Sequence, residues 1–156
     1  MRILGVDPGS RVTGYGLIDE NRGLITYVSS GCIKTEGNVF SSRLAEIYRG
    51  IESLIDEFSP SEVAIEDIFV ARNPQSALKL GQARGAAIAA VVAREMPVAE
   101  YAARRVKKAV VGTGRATKEQ VQQMVKTLLA LSAIPSADAA DALAVALCHV
   151  HTRRAR

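Results

Sequence analysis

The sequence predicts an α/β domain in which a five-stranded mixed sheet is flanked by helices. Runs of apolar and β-forming residues alternate with segments of helical period in the order β-β-β-α-β-α-β-α-α, with a short helical turn near residues 103–110. The first three strands follow one another through short turns, which indicates an antiparallel start to the sheet. The length of 156 residues, with 48% hydrophobic and 23% charged residues, fits one folded domain and excludes a disordered chain.

The antiparallel part of the sheet is predicted from three segments. An apolar run over residues 3–7 is closed by a Pro-Gly-Ser turn, and β-forming residues recur over 13–19 and 24–35. An Asn-Arg-Gly sequence at 21–23 supplies a hairpin turn between the second and third strands. Gly31 indicates a β-bulge in the third strand.

The rest of the chain alternates helices with two further strands. Apolar residues at helical spacing predict a helix over 43–58, with Ser41 or Ser42 as its N-cap. The other predicted elements are a strand over 63–69, an Ala-rich helix over 75–95, a strand over 97–102, and helices over 118–131 and 138–151. We expect one domain over residues 1–152, followed by a short basic tail at 153–156.

Cysteine content and hydropathy limit the class of protein. Cys32 and Cys148 are too few for a disulfide-rich fold, and they are interpreted as small core residues. The N-terminal apolar run is too short for a signal peptide, and no uncharged stretch approaches the roughly 20 residues of a membrane-spanning helix. We therefore expect a cytoplasmic protein with no membrane partner.

Basic residues are concentrated in one part of the chain. The net charge is only +4, but the segment from 94 to 118 contains seven Lys and Arg residues and only two acidic residues, both glutamates. A segregated basic surface is what a polyanion such as a nucleic acid requires. A solvated charged face without a partner explains such a run about as well when the run is considered alone.

Four carboxylates stand where acidic residues are energetically unfavourable. Asp7 ends a wholly apolar strand, Glu66 interrupts another, and Asp138 and Asp141 open the last helix on one of its faces. Oxygen ligands that converge from separate elements suit Mg²⁺ or Mn²⁺, whereas zinc prefers His or Cys. Two such cations about 4 Å apart can activate a water for phosphodiester hydrolysis.

Each of these acids also has a simpler explanation. Asp7 precedes Pro-Gly and fits an ordinary turn, and Asp138 and Asp141 fit the favourable first turn of a helix. Glu66 is harder to explain in this way, because the strand around it reads as buried on both sides. Asp67 has the opposite strand parity, so we expect its side chain to point away from that of Glu66.

Several motifs occur in order along the chain: ILGVDPGS at 3–10, TGYG at 13–16, IE at 65–66, Phe69, ARN at 71–73, SALKLGQARG at 76–85, VVG at 110–112 and DAADALA at 138–144. These motifs resemble those of the RuvC family of bacterial Holliday-junction resolvases over nearly the whole chain. The resemblance implies an RNase H-like fold and a structure-selective endodeoxyribonuclease. Such an enzyme resolves four-way DNA junctions by paired cuts in strands of like polarity, leaving 5′-phosphate and 3′-hydroxyl ends.

The resemblance also implies a site and its partners. Asp7, Glu66, Asp138 and Asp141 fall on the family's metal-binding acidic positions, which implies two Mg²⁺ ions per site, with Mn²⁺ as a substitute and no small-molecule cofactor. It further implies a homodimer that works with the RuvA and RuvB branch-migration complex. Asp67 departs from the pattern, because a neutral amide is expected there in relatives.

The resemblance assigns roles to further residues near the acids. Lys107 and Lys118 match lysines that support cleavage, and Phe69 matches a phenylalanine that stacks on an unpaired base near the crossover. The remaining expected DNA contacts are Arg72, Arg104, Arg105, Lys108 and Arg115. From the residues alone, Phe69 fits a core anchor equally well, and each of the basic residues fits a solvated charge.

The Ala-rich helix over 75–95 carries small residues that allow close approach by another surface, either the sheet or a second subunit. An isologous dimer would match the two equivalent strands of a junction, so we expect this helix at the dimer interface.

Three other functions compete with the resolvase. Actin-like ATPases and sugar kinases open with a similar Asp-x-Gly loop, but they clasp nucleotide between two such domains, and this chain has room for one. A catalytically silent junction-binding module would not need all four acids. Ribonuclease H shares the expected fold and metal chemistry, and the segment 69–85 is what separates it from a resolvase.

Overall fold

The structure, a computed structural model, describes residues 1–68 and 73–156. The strands are β1 (Arg2–Asp7), β2 (Val12–Asn21), β3 (Leu24–Lys34), β4 (Glu62–Asp67) and β5 (Val98–Ala102). The helices are α1 (Phe40–Phe58), α2 (Pro74–Val92), α3 (Ala103–Val111), α4 (Lys118–Leu128) and α5 (Ala137–Arg154). This element order confirms the prediction of a five-stranded α/β domain.

The five strands form one mixed sheet in the order β3-β2-β1-β4-β5. β1 to β3 are joined by antiparallel pairing, as predicted, whereas β4 is parallel to both β1 and β5. The carboxyl ends of β1, β4 and β5 therefore lie at the same edge of the sheet. Crossovers through α1 and α2 make this parallel half possible, because parallel strands cannot be joined by a tight turn.

The β2–β3 hairpin confirms the predicted turn but not the predicted bulge. Arg22 and Gly23 both have positive φ, the conformation of a two-residue type I′ turn. The register shifts between Leu17 and Ile18, where Val28 is the extra residue on β3. Gly31 instead pairs regularly with Tyr15, and it accommodates the Tyr15 ring because a Cβ there would meet the ring atoms at 2.7–3.2 Å.

Helix boundaries differ from the predictions by three residues at four ends: α2 ends at Val92 and α4 at Leu128, both earlier than predicted, and the other two ends are in α1 and α5. α1 begins at Phe40 after Val39, with no side-chain cap, so the prediction of Ser41 or Ser42 as N-cap was wrong by about one turn. α5 continues through Arg153 and Arg154, into the stretch that the sequence predicts as a tail. Ion pairs from Arg153 to Glu62 and from Arg154 to Glu20 hold this last turn against the sheet.

Hydrophobic side chains pack in a layer on each face of the sheet. Alternate strand residues such as Leu4 and Val63 pack against α1 and α2, whereas Ile3 and Ala64 belong to the layer under α3, α4 and α5. Cys148 is buried in that second layer, and Cys32 is only partly buried. No helix within residues 1–68 and 73–156 has the length and hydropathy needed to cross a membrane.

α5 packs directly on the backbone of the sheet because glycines face it. A Cβ at Gly5 of β1 would lie 2.1 Å from the Ala142 carbonyl oxygen, and one at Gly14 of β2 would lie 2.1 Å from that of Asp138. Any larger residue would hold α5 farther from the sheet. These glycines therefore set the distance between β1 and the first turns of α5.

Candidate active site

Two of the predicted acids reach one edge of the sheet on adjacent parallel strands. Asp7 is the last residue of β1, and Glu66 is the penultimate residue of β4. Alternation along each strand puts both side chains on the α5 face, since Ile3 and Ala64 of the same parity lie in the layer under α5. The two carboxylates consequently share one environment, although 58 intervening residues separate them in the chain.

The first turn of α5 brings the other two acids to the same edge. Ser136 caps this helix by accepting a hydrogen bond from the Ala139 backbone N–H at 3.3 Å. The Asp138 backbone lies against Gly14, which is the ladder partner of Asp7 on β2. Asp141 follows one helical turn later, on the same side of α5 as Asp138.

The Asp7 carboxyl group is strongly perturbed by this environment. Burial raises its pKa to about 9, together with a hydrogen bond to the Glu66 carboxyl group and the negative charges of Glu66, Asp141 and Asp138. A buried carboxyl group next to other acids favours its neutral form, because an ionised one would add uncompensated negative charge. The four predicted acids therefore interact electrostatically as one group.

The pKa of Asp141 is affected by the other acids and by two lysines. Burial, followed by the charge of Glu66, raises its pKa to about 6, while the positive charges of Lys118 and Lys107 lower it in part. Lys118 is the first residue of α4, and Lys107 lies on α3. Both ammonium groups thus act on the acidic group from the side of α3 and α4.

The donor set fits a hard divalent cation. Within residues 1–68 and 73–156, no three His, Cys, Asp or Glu side chains are close enough to enclose an ion in this conformation. The acidic group nevertheless consists of oxygen donors, and burial together with the nearby acidic charges raises the pKa of Asp7; a bound cation would compensate for both effects. Carboxylates without His or Cys partners suit Mg²⁺ or Mn²⁺ better than zinc.

A buried threonine shapes the turn that follows Asp7. The Thr13 hydroxyl donates to the Gly9 carbonyl at 3.0 Å and accepts from the Gly9 N–H at 3.3 Å. These bonds close the loop between β1 and β2 beside the site. Thr13 is not among the predicted site residues, and its place in the TGYG motif was its only signal in the sequence.

The other expected DNA contacts fall into three groups. Arg104, Lys108 and Arg115 are exposed on α3 and the loop after it. Arg105 instead lies over the Tyr101 ring at 5.3 Å and donates to Thr152, near the opposite end of α5 from Asp138. Phe69 and Arg72 lie outside the described residues.

Comparisons with known proteins decide among the competing functions. The family model for crossover junction endodeoxyribonuclease RuvC matches residues 3–149. A curated RuvC from Tolumonas auensis is 62% identical over 152 residues, covering 97% of this chain and 88% of the relative. The chain belongs to the RuvC family. A RuvC from Aeromonas hydrophila is 60% identical over the same coverage of both chains.

Solved structures agree with this family membership. Thermus thermophilus RuvC in complex with a Holliday junction substrate superposes with a TM-score of 0.91 at 32% identity, covering 99% of this chain and 96% of the other. The fold of the RuvC family, RNase H-like, is therefore the fold of this chain, as expected. The protein is a crossover junction endodeoxyribonuclease, a Holliday-junction resolvase. The kinase, ribonuclease H and silent-module alternatives are thereby excluded.

Proposed function

We propose that this resolvase cuts the junction through Asp7, Glu66, Asp138 and Asp141, which together hold two Mg²⁺ ions, with Mn²⁺ as a substitute. The RuvC family is generally metal-dependent. The observation that carries the proposal is that Asp7 and Glu66, on adjacent parallel strands, and the first turn of α5 with Asp138 and Asp141 meet at one edge of the sheet. Ionised carboxylates that are buried close to one another are unfavourable, and a bound cation stabilises them by compensating their negative charge.

Within this site, the bound ions would activate a water and stabilise the leaving oxygen of the phosphodiester. Asp7 and Glu66 fix the ligands from the sheet, which is the rigid side of the site. Asp138 and Asp141 supply ligands from α5, whose distance to the sheet is set by Gly5 and Gly14. Hydrolysis would leave a 5′-phosphate and a 3′-hydroxyl end.

The two lysines near Asp141 have a different role in the proposal. Their positive charges act on Asp141 and hence on the space beside the acids, where the scissile phosphate would lie. An ammonium group there stabilises the charge that develops on the phosphate during the reaction. Lys107 and Lys118 are therefore proposed as catalytic residues, separate from the metal ligands.

Binding of the junction arms is proposed for the exposed basic residues of α3 and its following loop. Arg104, Lys108 and Arg115 are exposed there. Contacts from them to phosphates would fix the position of the DNA without reading its base sequence. Arg105 lies over the Tyr101 ring, so it would contact DNA near the C-terminal end of α5, away from the acids. Stacking by Phe69 and a phosphate contact by Arg72 remain predictions.

A homodimer through α2 is part of the proposal. The exposed side of this helix carries a stripe at helical spacing, formed by Leu78, Gln82, Gly85, Ala89 and Val92. Leu78 is 69% and Val92 is 55% exposed, and both lie on this one face of α2, where they contribute to an exposed apolar stripe. A Cβ at Gly85 would meet nothing within 4 Å among residues 1–68 and 73–156, so contacts within this part of the monomer do not require glycine there.

A second copy of α2 would explain both the exposed apolar residues and the glycine. The isologous dimer would bring two active sites to symmetric phosphates of the junction. From family membership we also propose cooperation with the RuvA and RuvB branch-migration complex in the cytoplasm.

The proposal is tested with a synthetic four-way junction, a linear duplex and an RNA–DNA hybrid, each with and without Mg²⁺. We expect paired cuts only in the junction and only with the metal. Asp7→Asn, Glu66→Gln, Asp138→Asn and Asp141→Asn should each keep junction binding and lose cutting. Cleavage retained in any two of these variants would overturn the assignment of the site.

A further inference from the structure

Arg84 of α2 reaches the end of β4 that presents Glu66. Its Nε–H donates to the backbone carbonyl of Glu66 at 3.1 Å. Its Nη2 lies 3.1 Å from the Glu100 carboxylate of β5 and 3.4 Å from the Asp67 carboxylate of β4. The Arg84 side chain is only 14% exposed, so these contacts fix it in a largely buried position.

The hydrogen bond from Arg84 lies close to the end of the β1–β4 ladder. The parallel ladder between β1 and β4 ends at the pair Val6 and Ile65, one residue before Glu66. On its other side, Glu66 pairs with Tyr101 of β5. Arg84 provides the additional hydrogen bond to the backbone at the position where pairing with β1 stops.

The strand parity explains how one arginine serves this purpose. Glu66 points to the α5 face, whereas Asp67 and Glu100 have the parity of the residues that pack toward α2. Arg84 therefore approaches from the face opposite the active site. The charge of Asp67, the departure from the expected neutral amide, is paired with Arg84 on that face and away from the acids.

The backbone hydrogen bond is the important contact among the three. The carboxylates of Asp67 and Glu100 are 51% and 50% exposed, and exposed ion pairs contribute little. Among the described residues, Nη2 makes no hydrogen bond to either carboxylate, so the bond from Nε–H to the Glu66 carbonyl is the directed contact of the guanidinium. A lysine would keep the charge but lacks this planar arrangement of donors.

We propose that Arg84 is a positioning residue for Glu66: it fixes the β4 backbone so that the Glu66 carboxylate meets that of Asp7 in the geometry required to hold the metal. This inference rests on the proposed role of Glu66 as a metal ligand. Residues that orient metal ligands typically change metal affinity or activity by about 10- to 100-fold when removed. Loss of Arg84 should therefore weaken metal binding rather than junction binding.

The test compares four variants of the full chain: Arg84→Gln, Arg84→Lys, Arg2→Gln and Glu66→Gln. Arg2 is the matched control, because it also donates to a backbone carbonyl, that of Phe58, and pairs with an aspartate, Asp19, but at the opposite edge of the sheet. Mn²⁺ binding to the metal-free protein is measured by the electron paramagnetic resonance of free Mn²⁺. Junction affinity without divalent metal, the Mg²⁺ dependence of single-turnover cutting and the melting temperature complete the set.

For Arg84→Gln, we expect about tenfold weaker Mn²⁺ binding and a matching increase in the Mg²⁺ concentration needed for cutting. Junction affinity should stay within about twofold of wild type, because Arg84 faces away from the DNA side of the site. Arg84→Lys should recover the melting temperature without recovering Mn²⁺ affinity, so it carries the test if Arg84→Gln fails to fold. Arg2→Gln should behave as wild type in metal binding and cutting.

Two different results would overturn the inference. Wild-type Mn²⁺ affinity in either Arg84 variant, while Glu66→Gln has lost it, would show that Glu66 needs no positioning by Arg84. Glu66→Gln that binds Mn²⁺ and cuts normally would remove the proposed site itself, and the role of Arg84 with it.

Discussion

Replacing Gly14 by alanine should separate α5 from the sheet at the active site. The new Cβ would lie 2.1 Å from the Asp138 carbonyl oxygen and 2.6 Å from its carbonyl carbon, both of which are backbone atoms. Real Cβ contacts essentially never fall below 3.0 Å, so the first turn of α5 or β2 must move by about 0.9 Å. β2 is paired on both sides, with β1 and β3, and so most of the movement should fall on α5.

The expected magnitudes follow from this displacement. Overpacking of a close-packed contact costs about 1–3 kcal/mol in the free energy of unfolding. Asp138 is carried by the displaced turn, and a misplacement of about 1 Å at a reacting centre can reduce the rate about 100-fold. Gly14→Ala should therefore lose more activity than its loss of stability explains.

Urea unfolding and single-turnover cutting of a four-way junction measure the two effects separately. Gly31→Ala is the control, because it is also a strand glycine and the three atoms nearest to its new Cβ would belong to the Tyr15 side chain rather than to backbone, the hydroxyl oxygen being 2.7 Å away. That side chain can rotate away, so this variant should cut at nearly the wild-type rate. A Gly14→Ala protein that unfolds like wild type and cuts within threefold of its rate would refute the argument.

Three further predictions follow from the charges and the exposed helix. Folding raises the pKa of Asp7 from 3.8 to about 9, so the metal-free protein should lose stability as the pH rises between these values. In Asp7→Asn, the melting temperature should fall less steeply over this pH range. A decline as steep as that of the wild type would contradict the prediction. Gly85→Ala should stabilise the monomer by up to about 1 kcal/mol in chemical unfolding but weaken self-association in sedimentation, whereas an unchanged dimer would remove α2 from the interface. Lys107→Ala should lower the cutting rate more than junction affinity, and Arg104→Ala should weaken binding with a shallower salt dependence; equal losses in both would erase the distinction between them.

The order of the elements and the identity of the acidic residues could be predicted from the residues alone. Helical and strand periods are local properties of the sequence. They therefore indicated all five strands, and helices flanking the sheet, without any knowledge of which strands pair. The acids were recognisable because Asp7 and Glu66 interrupt otherwise apolar strands, where an unpaired charge is unfavourable. The family motifs then connected these positions to one activity.

The distances between helices and strands depend on the folded arrangement and could not be predicted in this way. The packing of α5 on Gly5 and Gly14 and the contact of Arg84 with the Glu66 carbonyl join residues that are distant in the chain. The sequence placed the bulge at Gly31, but the register put it at Val28, because pairing depends on the partner strand. Distances between backbones and the ionisation of grouped acids arise from the folded arrangement, and no local pattern of residues encodes them.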